Sequence, residues 1–119
     1  MAVLPRPAAR AAYLWLAQRV SGVFLAVGLP VHLLRLSFAP QPVTYAWLSG
    51  LLSNPGWKSF HVVLLAALVF HSLAGVRSVL LDCGAVRRFH RVVDWAALLL
   101  GAALFVLGLE ALLAAPQVR

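Results

Sequence analysis

The chain has 119 residues, of which 63% are hydrophobic and 11% charged, and it carries a formal net charge of +7. A soluble domain of that size cannot hide so much apolar surface. A mean hydropathy of +0.93 instead fits lipid as the solvent, where backbone groups must pair within their own segment and helices are favoured. The composition excludes a soluble globular enzyme, and nucleic-acid binding would need a water-exposed basic platform that such a chain lacks.

Three apolar runs follow one another, Tyr13 to Leu36, Trp57 to Leu81 and Val93 to Leu113, each near the roughly 20 residues that span a bilayer. They predict an all-α integral membrane protein with three transmembrane helices, a single membrane domain over residues 1–119. The first run is too long for the apolar core of a signal peptide and is interrupted by Gln18 and Arg19, so it reads as a retained helix. Between the first two runs, Pro40, Pro42, Asn54, Pro55 and Gly56 are breakers and turn formers, and Thr44 to Leu52 reads as a short interfacial helix. Tyr45, Trp47 and Trp57 belong to an aromatic belt at that interface. The second connection, Asp82 to Val92, is short and basic.

The basic residues are unevenly placed: Arg6, Arg10, Arg19, Arg77, Arg87, Arg88 and Arg91 gather at the N-terminus and the second connection, against Arg35, Lys58 and Arg119 on the other side. The positive-inside rule then predicts the N-terminus inside and the C-terminus outside. A basic inner surface also suits anionic membrane lipid or an acidic soluble partner. Cys83 is the single cysteine, so the sequence offers no disulfide and no thiolate pair for a metal, nor the motif that attaches haem covalently.

Ionisable residues inside a span are costly and face a partner, a cofactor or a cavity. On the second helix His71, Gly75, Ser78 and Asp82 recur at helical spacing and form one stripe. His71 lies roughly 15 Å from the inner end. Its imidazole either hydrogen-bonds another helix or ligates iron axially, with Gly75 leaving room for a flat macrocycle, and spacing leaves both open. His61, ten residues earlier, lies about 80° round the helix and reads as an outer interfacial residue, as His90 reads as a solvated inner one. His32 stands deep in the first helix beside Pro30, which should kink it. On the third helix Ala97, Gly101 and Gly108 suit close packing, Asp94 can cap the helix start, and Glu110 reads as interfacial.

Arg19-Val-Ser-Gly22 on the first helix and His71-Ser-Leu-Ala-Gly-Val-Arg-Ser-Val-Leu-Leu-Asp82 on the second resemble the cytochrome b and membrane-anchor subunits of succinate dehydrogenases and fumarate reductases. The family pattern is Arg-x-Ser/Thr-Gly, then His-x-x-x-Gly-x-Arg and a later Asp, then a third helix. The resemblance implies a non-catalytic anchor subunit in the cell inner membrane. Its implied partners are a second hydrophobic subunit, an iron–sulfur subunit and a flavoprotein, with the dicarboxylate chemistry in other chains. By the same pattern His71 is an axial ligand of haem b, shared with the partner subunit, and His32 is a candidate ligand for a second haem. Arg19, Trp15, Asp82 and Arg77 are candidates for a quinone site, where Arg19 can donate hydrogen bonds to a quinone oxygen; the plain alternative for Arg19 and Arg77 is snorkelling to the interface. Gln18 and Trp15 stand where some members carry histidine and serine, and Cys83 where others carry tyrosine. Two other classes compete: a subunit of another quinone-linked b-type cytochrome, and a structural membrane subunit without cofactor.

Overall fold

A computed structural model of the chain describes residues 6–40 and 42–114; Arg119 lies outside them. Every regular element among the described residues is helical: α1 (Arg6–Ser37), α2 (Tyr45–Ser53), α3 (Pro55–Asp82), α4 (Gly84–Arg87) and α5 (His90–Leu113). Helices α1, α3 and α5 are long and apolar enough to cross a membrane, and each runs antiparallel to the next, so the start of α1 and the end of α5 lie at opposite ends of the helical layer. The start of α1 and the single-turn α4 share one side, the α4 side; α2 lies on the other, the α2 side.

Local chemistry fixes the boundaries. Thr44 is extended and its hydroxyl accepts from the Trp47 amide at 3.2 Å, capping α2 at its first turn. Asn54 does the same for α3, its Oδ1 accepting from the amides of Gly56 at 2.9 Å and Trp57 at 3.3 Å. Pro55 then occupies the first helical position, where its missing N–H costs nothing. Cys83 returns to an extended conformation and ends α3 at Asp82. Helix α1 starts at Arg6 rather than at Tyr13, because Ala8, Ala9, Arg10, Ala11 and Ala12 are strong helix formers without the hydropathy that marks a span. At 32 residues it is about 48 Å long, well beyond the ~30 Å hydrocarbon core, and it runs through Pro30 as one helix.

One expectation is corrected. Asp94 does not cap α5: the helix begins at His90, its cap position is Phe89 with no side-chain hydrogen bond, and Asp94 is instead drawn into an ion pair with Arg77 of α3 at 2.6 Å.

Helix α3 is the centre of the bundle. It packs against α1 on one side and α5 on the other, while α1 and α5 scarcely touch. The molecule measures 53 × 33 × 24 Å. Glycines set both contacts by letting side chains approach backbone. A Cβ at Gly28 of α1 would lie 3.0 Å from Leu64, and one at Gly108 of α5 only 2.6 Å from Leu65. Leu25 and Leu64 at 7% and 6% exposure, with Ser21 at 8%, form the α1–α3 seam. No residue of α5 is buried. Most of the three spans therefore look outward, towards lipid or other chains.

Candidate functional site

His71 sits on the face of α3 that meets α1. Its Nδ1 lies 3.2 Å from the backbone oxygen of Gln18 and 3.2 Å from the hydroxyl of Ser21, which itself donates to the Gln18 oxygen at 3.0 Å. A carbonyl oxygen only accepts, so Nδ1 carries the proton and Nε2 carries the lone pair. No hydrogen-bond partner for Nε2 occurs among the described residues. The Gln18 side chain locks the arrangement from the other direction, donating from Nε2 to the His71 backbone oxygen at 3.1 Å, and its Oε1 is buried without a partner. Two glycines admit these groups: a Cβ at Gly22 would lie 3.0 Å from His71 Cε1, and one at Gly75 would lie 3.4 Å from the Gln18 amide nitrogen.

Beside this knot a groove of about 410 Å³ is lined by Gln18, His71, Gly75, Val76, Val79 and Leu80, together with Ser72. It opens on one side of the helical layer. Of the stripe read from the sequence, His71 and Gly75 are partly covered by α1, whereas Ser78 and Asp82 are exposed and Asp82 makes no side-chain hydrogen bond among the described residues. Arg19 stacks on the Trp15 ring, 4.5 Å from its centroid. Both are exposed, Trp15 one turn from Gln18 towards the α4 side and Arg19 directly after Gln18, so the structure brings Trp15 and Arg19 together next to the His71 contact.

Arg77 belongs elsewhere. Its bond to Asp94 turns it towards α5, into a second groove of about 710 Å³ on the opposite side of α3. Counting 100° per residue, the α3 residues of that groove (Phe70, Ala74, Arg77) and those of the first (Gly75, Val76, Val79) face away from one another. Arg77 thus shares depth with Arg19 but not a site.

The histidines nearer the α2 side form a pair that counting along one helix cannot reveal. His61 Nδ1 lies 2.7 Å from the Trp57 backbone oxygen, and its Nε2 lies 3.2 Å from His32 Nδ1. By the same reasoning His61 is protonated at Nδ1, accepts at Nε2, and leaves His32 donating from Nδ1 with its own Nε2 unpaired. Phe60 and Trp57 pack edge-on around them, and Arg35 lies 5.3 Å above the Trp57 ring. His32 and Ser21 are eleven positions apart on α1, and His61 and His71 ten on α3, so the two histidine contacts are separated by roughly 15 Å of depth.

Gln18, Ser21 and His61 are the residues that a reading of single helices undervalues. The available signal was polarity at matched depth: Gln18 and Ser21 are three apart on α1 at the level where an antiparallel α3 places His71, and His32 and His61 match in the same way.

A layer of three membrane helices whose internal polar residues are held in cross-helix contacts, with a histidine lone pair beside an open groove, defines a small multi-pass subunit of a larger membrane assembly. The model of the succinate dehydrogenase/fumarate reductase transmembrane subunit family matches residues 7–109, which takes in the first two spans and most of the third, and the chain belongs to that family. No curated protein and no solved structure matches it.

Proposed function

We propose that the chain is the anchor subunit that holds haem b through His71 and helps form the quinone site, receiving electrons from the iron–sulfur subunit of a succinate dehydrogenase or fumarate reductase. The observation that carries this reading is the state of His71. Its Nδ1–H is fixed on the Gln18 carbonyl and the Ser21 hydroxyl, the arrangement by which proteins orient a metal-ligating imidazole and raise its basicity. Its Nε2 lone pair is left beside a groove with apolar walls. Among the described residues no three His, Cys, Asp or Glu side chains gather into a metal cluster; an axial haem ligand requires a single residue from this chain.

The residues present fit the group. His71 would hold the iron, Gly75 and Val76 would flank it, and the unpartnered Gln18 Oε1 is available as an acceptor. When bound, haem b supplies one-electron chemistry. The chain's own residues orient the imidazole, exclude water with Val79 and Leu80, and keep the proton on Nδ1. Arg19 on Trp15 supplies the polar edge for a quinone head group, with Asp82 two turns beyond Gly75 at the end of α3, roughly 10 Å further along; the guanidinium can donate to a quinone oxygen and stabilise negative charge on the ring. Arg77, across the layer, takes no part in that edge.

His32 is the candidate ligand for a second haem. Its Nε2 is free, while its Nδ1 already has a partner in His61, so it holds α1 to α3 with or without iron. The remaining assignments follow the family: a second hydrophobic subunit on the His71 side, the iron–sulfur protein and flavoprotein on the α4 side, that side facing the cytoplasm, and residence in the inner membrane.

Purification through a tag on this chain from its native membrane tests the proposal. A flavoprotein and an iron–sulfur protein should co-purify, with a b-type reduced-minus-oxidised spectrum and succinate-linked quinone activity. A tagged chain that returns with other redox partners, or without haem, would replace this reading with one of the two alternatives.

A further inference from the structure

The second groove has a chemistry of its own. Arg10 of α1, Arg77 of α3, and Arg91 and Asp94 of α5 line its end on the α4 side, and below them its walls are apolar, with Phe70, Trp95 and Phe105 the largest. Among the described residues the single ion pair is Arg77 with Asp94. Arg10 and Arg91 are exposed and form no ion pair among the described residues, so three arginines against the one Asp94 leave the mouth an excess of two positive charges. It lies at headgroup depth: Arg91 is the second residue of α5, and Arg77 is five residues, or roughly 7.5 Å, from the end of α3.

We propose that this groove binds an anionic phospholipid, its phosphate between Arg10 and Arg91 and an acyl chain along the apolar wall. Basic pockets between membrane helices at headgroup depth recognise such lipids, and a phosphate accepts from several guanidinium groups at once. The charge selects the occupant. A neutral quinone leaves two guanidiniums uncompensated, and a protein helix would have to bring two carboxylates into the membrane, which is costly. The ion pair has a part in this: Asp94 neutralises Arg77 and limits the attraction to two free charges. The inference does not rest on the haem reading, since His71 and its groove lie on the opposite side of α3.

The test uses the whole complex, delipidated in detergent and titrated with phosphatidylglycerol, with phosphatidylcholine and inorganic phosphate as controls, bound lipid being counted by native mass spectrometry. Phosphatidylglycerol should bind one site per chain at least about tenfold more tightly than phosphatidylcholine. Each basic residue near an anionic headgroup is worth roughly fivefold in affinity, so Arg10→Gln with Arg91→Gln should weaken binding about thirtyfold. Asp94→Asn, which frees Arg77, should tighten it, an outcome that general damage to the fold would not give. An unchanged subunit composition of the double variant in the same native mass spectra shows that the complex has assembled. Wild-type affinity in the double variant, or equal binding of both lipids, overturns the proposal. So does displacement of the lipid by millimolar phosphate, or capture of a protein chain by a photo-cross-linking residue at position 98.

Discussion

Gly22 is the position at which a single methyl group interrogates the His71 contact. An alanine Cβ there would lie 3.0 Å from Cε1 of the imidazole, 3.5 Å from Nδ1 and 4.0 Å from Nε2. Ordinary carbon–carbon separations are ~3.5–4.0 Å, so the ring must retreat from α1 by about half an ångström. Both acceptors of Nδ1–H, the Gln18 oxygen and the Ser21 hydroxyl, are on α1 at 3.2 Å, and a retreat of that size takes both beyond hydrogen-bonding distance. The loss is on the order of 1–2 kcal/mol, against which alanine returns roughly 1 kcal/mol of helix propensity. Gly22→Ala should therefore leave assembly of the complex nearly unchanged while the imidazole loses its orientation. Haem should be released at lower temperature on a melt followed by Soret absorbance, with a shifted reduction potential. Gly50→Ala is the control, because nothing lies within 4 Å of its added Cβ. A Gly22→Ala complex with wild-type haem release and potential, and a Gly22→Val complex likewise, would show that the ring is not held against α1 as described.

Arg19→Leu should raise the quinone Michaelis constant or lower quinone reduction several-fold while a soluble-dye assay of the flavoprotein stays normal; unchanged quinone kinetics would return Arg19 to an interfacial role on Trp15. Arg77→Met and Asp94→Leu should each lower the thermal stability of the complex, and the double substitution should cost less than the sum. The coupling should be about 0.5–1 kcal/mol, because both side chains remain about one-third exposed, at 34% and 29%, and solvent screens the pair; strict additivity would deny the ion pair a role. Reporter tags at the N-terminus and between Cys83 and Val92 should both read cytoplasmic, and a C-terminal tag should read the opposite side. A cytoplasmic C-terminus would contradict three spans.

The three spans were legible because membrane hydropathy is a local property of each run. Their helical ends were not, since the alanine-rich start of α1 is helical by propensity and Pro55 opens α3 by its fixed backbone angle, neither of which registers as hydropathy. His71 was legible as a polar residue too deep for water. What it touches was not, because Gln18 and Ser21 meet it only once α1 and α3 are set side by side by Gly22 and Gly75. Arg77 and Asp94 show the limit most clearly: each has a sensible role on its own helix, as an interfacial charge and as a cap, and the packing of α3 against α5 replaces both roles with one ion pair. The same packing turns Arg77 away from Arg19, with which the family resemblance groups it.

The central claim is that His71 supplies iron ligation from this chain, and the haem-to-flavin ratio of the purified complex tests it most directly. Pyridine haemochrome and flavin should be measured on wild type, His71→Ala and His32→Ala prepared side by side. Wild type should carry at least one haem per flavin, and His71→Ala should lose one. A further decrease in His32→Ala would add the second haem. A His71→Ala complex that keeps the wild-type ratio and an unaltered haem spectrum would contradict the account and leave His71 as a residue that only fastens α3 to α1.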